Sequence, residues 1–347
     1  MFSFRTTPIE EQLDRSLTEG RVGVVCTANC WNAATGKYLY DVFRERGNLA
    51  RVFLPEGEHI EFIPEDFREI DAIVVEIQDI GSRYFNYTVD VLRLMATVGN
   101  AVDRDIPIYI VDHPNPAGRD VEGSLPAGEA DVWTPRVAHR HGLTLGELAH
   151  LYHSETGASY PLHVISAYAS VTNRALMPWV IPPSADVAGM FTPYVYSGGM
   201  LWCDTSITPG IGTNRPYEMF GAPFVKPVNE NAPVPEGVLL RPCSFVPEHG
   251  LYEGETCFGF QIILLPGTHY HSILHTVRLM RYFSERYSQF EIQDSLFTRL
   301  ADPVMAEYLK GRITYDIVEE HVKSEEQKWI RKAKRFLLYE DSPCRIK

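Results

Sequence analysis

Short runs of apolar, mostly β-branched residues alternate with helical spacing through the first half of the chain. Strand-like runs occupy 21–27, 51–54, 72–77 and 106–111, and 162–165 is a possible fifth. Apolar residues at consecutive positions predict strands buried on both faces, as in a parallel sheet. The helical patterns between them supply the crossovers that parallel strands require. The sequence therefore predicts an α/β fold with a Rossmann-like, doubly wound parallel sheet.

The second half of the chain has a different pattern. Five prolines fall within 222–242, which predicts a linker or a long extended excursion. One strong strand pattern covers 258–265. Helical patterns follow at 271–287, 294–310 and 325–339; the last begins with a capping box, Ser324 to Gln327, and carries a stripe of Ile330, Ala333 and Leu337. We therefore expect a Rossmann-like domain over 1–228 and a smaller C-terminal α+β auxiliary domain over 229–347.

Net charge and cysteine content limit which binding partners and which cellular compartment we expect for this protein. Lys and Arg number 32 and Asp and Glu 45, a net charge of −13 that disfavours nucleic acid as a partner. No run of eighteen apolar residues exists, so no membrane span is expected. The N-terminus lacks the apolar core of a secretory signal, and the six cysteines form no C-x-x-C pair. We expect a cytoplasmic protein with reduced thiols.

Polar and aromatic side chains follow each predicted strand of the first domain. Ligands of open α/β sheets bind beyond the carboxyl ends of the strands, so these residues predict a ligand site. Helix capping and turn formation are the alternative role for each of them taken singly. The set offers carboxylates for acid–base chemistry, a guanidinium for an anion and tyrosines for a sugar face. It comprises Asn29, Glu56, Glu58, His59, Gln78, Asp79, Arg83, Tyr84, Tyr87, Asp112 and Asn115.

Other short motifs fail on inspection. The Gly36-Lys37 pair lacks the flanking residues of a phosphate loop, and Gly210-Ile211-Gly212 lacks the third glycine of a dinucleotide fingerprint. The spacing of His269, His271 and His275 fits surface histidines at a helix N-terminus better than a zinc site. We therefore expect neither metal nor nicotinamide. A cleft position and a structural role are equally open for His139 and His141.

Five ordered motifs resemble the NamZ-like exo-β-N-acetylmuramidases, a family long catalogued as a domain of unknown function, and the resemblance spans about residues 20–340. The motifs are Glu76-Ile77-Gln78-Asp79-Ile80-Gly81-Ser82-Arg83-Tyr84-Phe85-Asn86-Tyr87; Asp112-His113-Pro114-Asn115-Pro116 with Val121-Glu122-Gly123; 141–149; 212–218 with 220–223; and Cys257-Phe258-Gly259.

The resemblance implies a Rossmann-like domain, a C-terminal auxiliary domain and an active site in the cleft between them. We expect this cleft to be walled by the strand ends and by residues 203–220. The family removes terminal N-acetylmuramic acid from the non-reducing ends of peptidoglycan fragments, so the implied partner is a small sugar or muropeptide. The resemblance also implies that no nicotinamide is involved, although the topology is Rossmann-like, since a fold alone does not determine function.

This chain departs from the family pattern at three places. The family's Pro-Glu-His-Gly run corresponds to Pro55-Glu56-Gly57-Glu58-His59, so either glutamate can hold the place of the family's catalytic candidate. Pro247-Glu248-His249-Gly250 spells the run literally, but its position late in the chain indicates coincidence. A second family glutamate falls on Cys203, and a family arginine falls on Ile211. These changes fit a divergent subfamily with another substrate, or one without hydrolysis.

Glycoside hydrolysis commonly uses two carboxyl groups, and the candidates are Glu56, Glu58 and Asp79. We favour Glu56, since the preceding strand fixes its position, although Asp79 can equally be a structural partner of Arg83. A substrate acetamido nucleophile needs only one protein acid, so stereochemistry stays open. Arg83 is the candidate for the lactyl carboxylate. The predicted substrate-binding residues are Asn29, His59, Gln78, Arg83, Tyr84, Tyr87, Asp112, Asn115 and His141. A sugar-binding protein without catalysis is the alternative function, and a sugar deacetylase is a weaker third.

Overall fold

The computed structural model describes residues 16–33, 35–101, 103–128, 136–167, 180–226 and 232–339. Five parallel strands form the large sheet, in the order β2-β1-β3-β4-β5. They are β1 (Val22–Cys26), β2 (Leu49–Phe53), β3 (Ala72–Glu76), β4 (Ile108–Asp112) and β5 (Leu162–Ser166). The chain leaves β1 on one side and returns for β3 on the other, so the strand order reverses between β1 and β3. This confirms the predicted doubly wound sheet.

Helices cover both faces of the large sheet. Helices α1 (Ser16–Glu19) and α2 (Leu39–Arg46) pack on one face, where Leu17, Leu39 and Phe43 contact alternate residues of β1 and β3. Helices α3 (Asn86–Ala101) and α4 (Leu145–Thr156) cover the other face. Strands β1, β3 and β4 are buried at every position, which is the physical basis of their continuous apolar sequences.

A smaller antiparallel sheet follows in the order β6-β8-β7. Its strands are β6 (Met219–Ala222), β7 (Val238–Phe245) and β8 (Cys257–Leu264), and β8 confirms the strand predicted there. Helices α5 (Thr192–Gly199), α6 (Ser272–Arg286), α7 (Asp294–Leu300), α8 (Pro303–Leu309) and α9 (Tyr315–Ala333) belong to this half, and α6 matches its predicted pattern. Four 3-10 helices cover 28–30, 64–67, 200–204 and 334–336. The boundary at 228/229 stays a prediction.

The proline-rich segment 222–242, expected as a linker or a long extended excursion, runs into β7, an edge strand that tolerates Pro242, and residues 227–231 lie outside the described ranges. Two helix expectations for this half are wrong. The helix expected over 294–310 is two helices, because Ala301 adopts a left-handed φ of 47° and Asp302 caps α8.

The last helix begins ten residues earlier than expected, so Ser324 and Gln327 lie inside α9 rather than at its N-terminus. Its buried face contains Val318, Val322 and Trp329, whereas Ile330 of the predicted stripe is 42% exposed. Trp329 donates from Nε1 to the carbonyl of His141 at 2.9 Å, which fixes this helix against the large-sheet unit.

The two units are joined through buried charges. Arg140 contacts Glu122 at 2.7 Å, and both side chains are almost fully buried. Glu122 in turn accepts hydrogen bonds from the Ser272 hydroxyl at 2.6 Å and the Ile273 amide at 3.2 Å. A carboxylate from the first unit therefore caps the N-terminus of α6 in the second.

Candidate active site

The turn after β2 presents two glutamates at the carboxyl edge of the sheet. The Glu56 amide donates to the His59 carbonyl at 2.9 Å, and Gly57 adopts a left-handed φ of 72° at the corner. Both Glu56 and Glu58 are exposed. Only Glu58 contributes its negative charge to the raised pKa values of Tyr87 and Asp186, so its carboxylate lies within electrostatic range of those residues.

The same turn is anchored to helix α3 by a buried aspartate. Asp90 is fully buried and accepts from the Ile60 amide at 2.8 Å, while His59 Nδ1 lies 3.0 Å from its other oxygen. Arg93 also reaches this carboxylate at 3.3 Å. His59, predicted to bind substrate, is therefore engaged in holding the glutamate turn in place.

Residues from six segments form what we call the acid–tyrosine cluster: Glu58, Tyr87, Asp186, Tyr196, Cys203 and Tyr217. Tyr196 and Tyr217 pack edge to face, with ring centroids 4.6 Å apart. Tyr87 and Cys203 pack against the same apolar group. The cluster joins the edge of the large sheet to α5, the 3-10 helix at 200–204 and the loop before β6.

Asp186 is the second carboxylate of the cluster. Burial raises its pKa above the usual aspartate range, the nearby His249 opposes the shift and the charge of Glu58 adds to it. Asp186 is half-buried and Glu58 is exposed, so the two carboxyl groups occupy different environments, as the two carboxyl groups of many catalytic pairs do. The segment 247–250 that looked coincidental in the sequence thus reaches the cluster through His249.

Tyr217 occupies a strained backbone conformation. Its φ is 63°, which is uncommon for a bulky residue, and its side chain is buried. Its amide donates to the Pro209 carbonyl at 2.7 Å, and Gly199 leaves the room that its Cβ needs. Its hydroxyl hydrogen-bonds that of Tyr196, and burial raises the pKa of both phenols. The packing of this loop fixes two tyrosine hydroxyls beside Asp186.

Asp79, a predicted catalytic residue, lies behind this surface. It is 2% exposed, and its oxygens accept from the Thr88 hydroxyl at 2.5 Å and the Gly81 amide at 2.9 Å. His141 Nε2 is 3.5 Å away, and His141 Nδ1 accepts from the Leu143 amide at 3.2 Å. These contacts organise the start of α3 and leave Asp79 no open side for a sugar.

Arg83 is engaged inside the protein rather than at the ligand edge. Its guanidinium donates to the carbonyls of Ser124 at 3.0 Å and Leu300 at 2.7 Å, and His139 Nε2 accepts from it at 3.0 Å. Tyr84 donates from its hydroxyl to the Arg299 carbonyl at 3.2 Å. Both Nη atoms of Arg83 are used inside the protein and the side chain is only 3% exposed, so this geometry favours a structural role over the predicted pairing with a lactyl carboxylate; its Nε has no hydrogen-bond partner among the described residues.

The residues after β4 have capping roles. Asp112 accepts from the Thr144 hydroxyl at 2.7 Å and the Gly146 amide at 2.8 Å, and burial raises its pKa to about 6. Asn115 is 1% exposed and donates to the Leu143 carbonyl at 2.9 Å. Asp112 holds the start of a helix and Asn115 holds a turn, which are the roles that the capping and turn-forming alternative predicted.

Three predicted substrate-binding residues keep solvent access at the sheet edge. Asn29 lies in the 3-10 helix after β1 and accepts from the Thr27 hydroxyl at 2.5 Å. Gln78 donates to the carbonyls of Asp79 and Pro114, at 2.6 and 3.0 Å. Tyr87 is half-buried and packs edge to face on Phe85.

Sequence reasoning did not identify Asp186, Tyr196 or Tyr217. None of them follows a strand of the large sheet, and tyrosines at helical spacing are more often core residues. A signal existed for Tyr217, since it lies within the resembling motif 212–218. Within the described ranges, no group of three or more His, Cys, Asp or Glu side chains could hold a metal ion. In the same ranges, no helix has the length and apolarity of a membrane span.

The fold and the site define a two-unit α/β protein with an acidic, tyrosine-lined site. The N-terminal model of the exo-β-N-acetylmuramidase NamZ family matches residues 57–188, and the C-terminal model matches 194–339. The peptidoglycan β-N-acetylmuramidase NamZ of Bacillus subtilis (strain 168) is 26% identical over 291 residues, covering 80% of this chain and 69% of that protein.

Solved structures agree with the fold. Two DUF1343 family proteins from Bacteroides fragilis superpose with TM-scores of 0.80 and 0.75, at 20% and 21% identity, over 96% of this chain and 97% of each of theirs. The chain belongs to the NamZ family, as its motifs predicted.

Proposed function

We propose that this protein is an exo-acting glycoside hydrolase that removes terminal N-acetylmuramic acid, or a related sugar, from peptidoglycan fragments. Family membership supports the reaction class. The observation that carries the proposal is the placement of two carboxyl residues, Glu58 and Asp186, beside three tyrosines. Asp186 precedes Val187, which packs in one apolar group with Tyr196 and Tyr217, and Tyr87 packs against that group. The turn that carries Glu58 is held by Asp90, one turn along the helix from Tyr87. Hydrolysis of a glycosidic bond commonly uses two carboxyl groups.

The environments of the two carboxylates support different roles. Asp186 is half-buried with a raised pKa, which suits a general acid that protonates the leaving oxygen. Glu58 is exposed at the tip of an anchored turn, which suits a second carboxyl group that stabilises positive charge or activates water. Glu56 shares the turn but contributes to neither pKa shift, so we propose Glu58 in its place.

Three variants, each of which replaces one carboxyl group by the corresponding amide, test this assignment on a chromogenic N-acetylmuramic acid glycoside. Loss of a general acid or base usually lowers the rate by about a hundredfold to ten-thousandfold. We expect Glu58→Gln and Asp186→Asn each to lose kcat on this scale and Glu56→Gln, the control two residues away, to retain it. Normal turnover in Glu58→Gln with an inactive Glu56→Gln reverses the assignment, and normal turnover in all three removes these residues from the chemistry.

A second candidate function is sugar binding without hydrolysis, favoured by Cys203 and Ile211 at positions where the resembling family carries charged residues. Burial raises the pKa of the Cys203 thiol to about 11, so this side chain is neutral and cannot replace a carboxylate. Wild-type protein that binds N-acetylmuramic acid in calorimetry but turns over no muramic glycoside supports this alternative. We also propose a cytoplasmic location, for which the cysteine spacing is the support.

A further inference from the structure

A buried glutamate at the end of β3 has no role in the site described so far. Glu76 is the last residue of that strand, with its side chain only 7% exposed. It lies at the carboxyl edge of the sheet, beside the point between β1 and β3 where the strand order reverses. Ligands of doubly wound folds bind at this place.

The carboxyl group of Glu76 has few polar partners within the protein. In the described part of the chain no hydrogen bond ends on its oxygens, which are not among the fully enclosed side-chain atoms without a partner and so keep some contact with solvent. His113 is its ion-pair neighbour, with Nε2 at 3.4 Å from Oε1. The Cys30 thiol donates to its backbone carbonyl at 2.8 Å, not to its side chain. Other buried carboxylates of this protein are fully engaged, as Glu147 is by Arg119 and by two backbone amides.

An unpaired buried carboxylate destabilises a fold, because ionised groups lose hydration on burial. Such exceptions to the packing rules concentrate at functional sites, where the missing partner belongs to a ligand. Asn29 lies at the same edge of the sheet: the Cys30 thiol, which donates to the backbone carbonyl of Glu76, is 3.7 Å from the Asn29 amide oxygen. Asn29, Glu76 and His113 thus follow β1, β3 and β4, three adjacent strands.

We propose that Glu76 and His113, together with Asn29, form a subsite that binds the hydroxyl groups of the sugar ring. A carboxylate accepts hydrogen bonds from two hydroxyls, and an amide or imidazole can either donate or accept. The negative charge of Glu76 repels a carboxylate, so the lactyl group of a muramic acid points away from this subsite. This inference rests on the proposed sugar substrate, and it adds a residue for orientation and specificity to the carboxylate pair.

The test compares binding with stability in Glu76→Gln. N-Acetylmuramic acid is the probe in calorimetry, and thermal unfolding is followed on the same samples. Loss of one hydrogen bond to a charged acceptor corresponds to a loss of about tenfold in affinity. We expect roughly that loss, together with an unchanged or raised Tm, because the uncompensated charge is gone.

The control is Glu147→Gln, which removes a buried carboxylate whose oxygens are paired with Arg119 and with the amides of Thr144 and Leu338. It should show the opposite behaviour, a lower Tm with unchanged probe binding. If Glu76→Gln fails to fold, or lowers Tm while its affinity is unchanged, Glu76 is a structural partner of His113 and the inference is wrong. Unchanged binding with unchanged Tm also overturns the inference. So does a wild-type protein that does not bind the probe. Wild-type binding without turnover contradicts the proposed hydrolysis alone.

Discussion

The clearest prediction concerns Arg83, for which sequence and structure give different roles. Arg83→Met keeps the length of the side chain and removes its donors. The guanidinium hydrogen-bonds the carbonyls of Ser124, Val137, Arg299 and Leu300, at 3.0, 3.3, 3.2 and 2.7 Å, so the substitution leaves four buried or half-buried acceptors without this partner. The last two carbonyls close the C-terminal turn of α7, in the other unit from Arg83.

The magnitude follows from these contacts. A hydrogen bond from a charged donor contributes about 1.5–3 kcal/mol, and the cost of burying the guanidinium offsets part of the sum. Breaking a buried charged network usually costs about 3–5 kcal/mol, and we expect a loss in this range for Arg83→Met. Arg44→Met is the matched control, since Arg44 pairs with Asp41 on the surface and should change the free energy of unfolding by less than about 1 kcal/mol.

Urea unfolding followed by tryptophan fluorescence measures the effect, because Trp202 and Trp329 are buried in two separate apolar groups. The Arg83→Met midpoint should fall by roughly 1 M relative to wild type. A variant with the wild-type midpoint but a tenfold higher KM on a muramic glycoside would refute the structural role and restore the carboxylate-binding one.

Three further changes have defined outcomes. Burial raises the pKa of Asp112 to about 6 in the folded protein, against 3.8 ordinarily, so the folded state binds more protons between these pH values. The contribution of Asp112 to stability therefore falls as pH rises through this range. In urea titrations, the stability of Asp112→Asn relative to wild type should rise by on the order of 3 kcal/mol between pH 4 and pH 7, and a pH-independent difference contradicts this. Gly259→Ala places a Cβ about 2.0 Å from the Phe220 carbonyl oxygen, so β6 and β8 cannot keep their spacing. We expect the free energy of unfolding, measured by thermal unfolding, to fall by about 3 kcal/mol or more. A Tm within a degree of wild type shows instead that the strands adjust. His59→Ala should cost about 1–3 kcal/mol through its bond to buried Asp90, measured by urea unfolding, whereas unchanged stability with a raised KM assigns His59 to the substrate.

The large sheet was predictable because strands that are buried on both faces have continuously apolar sequences. Strands β1, β3 and β4 have no exposed position, so every residue in them except Gly23, Glu76 and Asp112 is apolar. Strand β7 has a weaker sequence pattern, since an edge strand tolerates Pro242 and exposes alternate residues. The extra turn at Ala301 had no sequence signal, because alanine rarely adopts a positive φ.

The candidate site was predictable as a region but not residue by residue. Polar residues after parallel strands must meet at one edge, and they do. Sequence cannot say which of them point outward, and Asp79, Asp112 and Asn115 turned inward to hold loops and helix starts. Asp186 could not be predicted as a site residue from the sequence, because it belongs to a loop that follows no strand of the large sheet. Only the three-dimensional fold brings it near Glu58.

The hydrogen bonds of Arg83 also set a limit on the order of events during biosynthesis. Its partner at the Leu300 carbonyl is 217 positions later in the chain, and the cap that Glu122 supplies to Ser272 spans 150 positions. A ribosome must therefore release about nine-tenths of the sequence shown before the first unit acquires its last internal partners. Nascent chains arrested before residue 300 should hold Arg83 without its partner at Leu300, and the apolar surface that the second unit covers should still be exposed, a state that chaperones recognise and proteases cleave readily. Separate expression of the two halves meets the same obstacle.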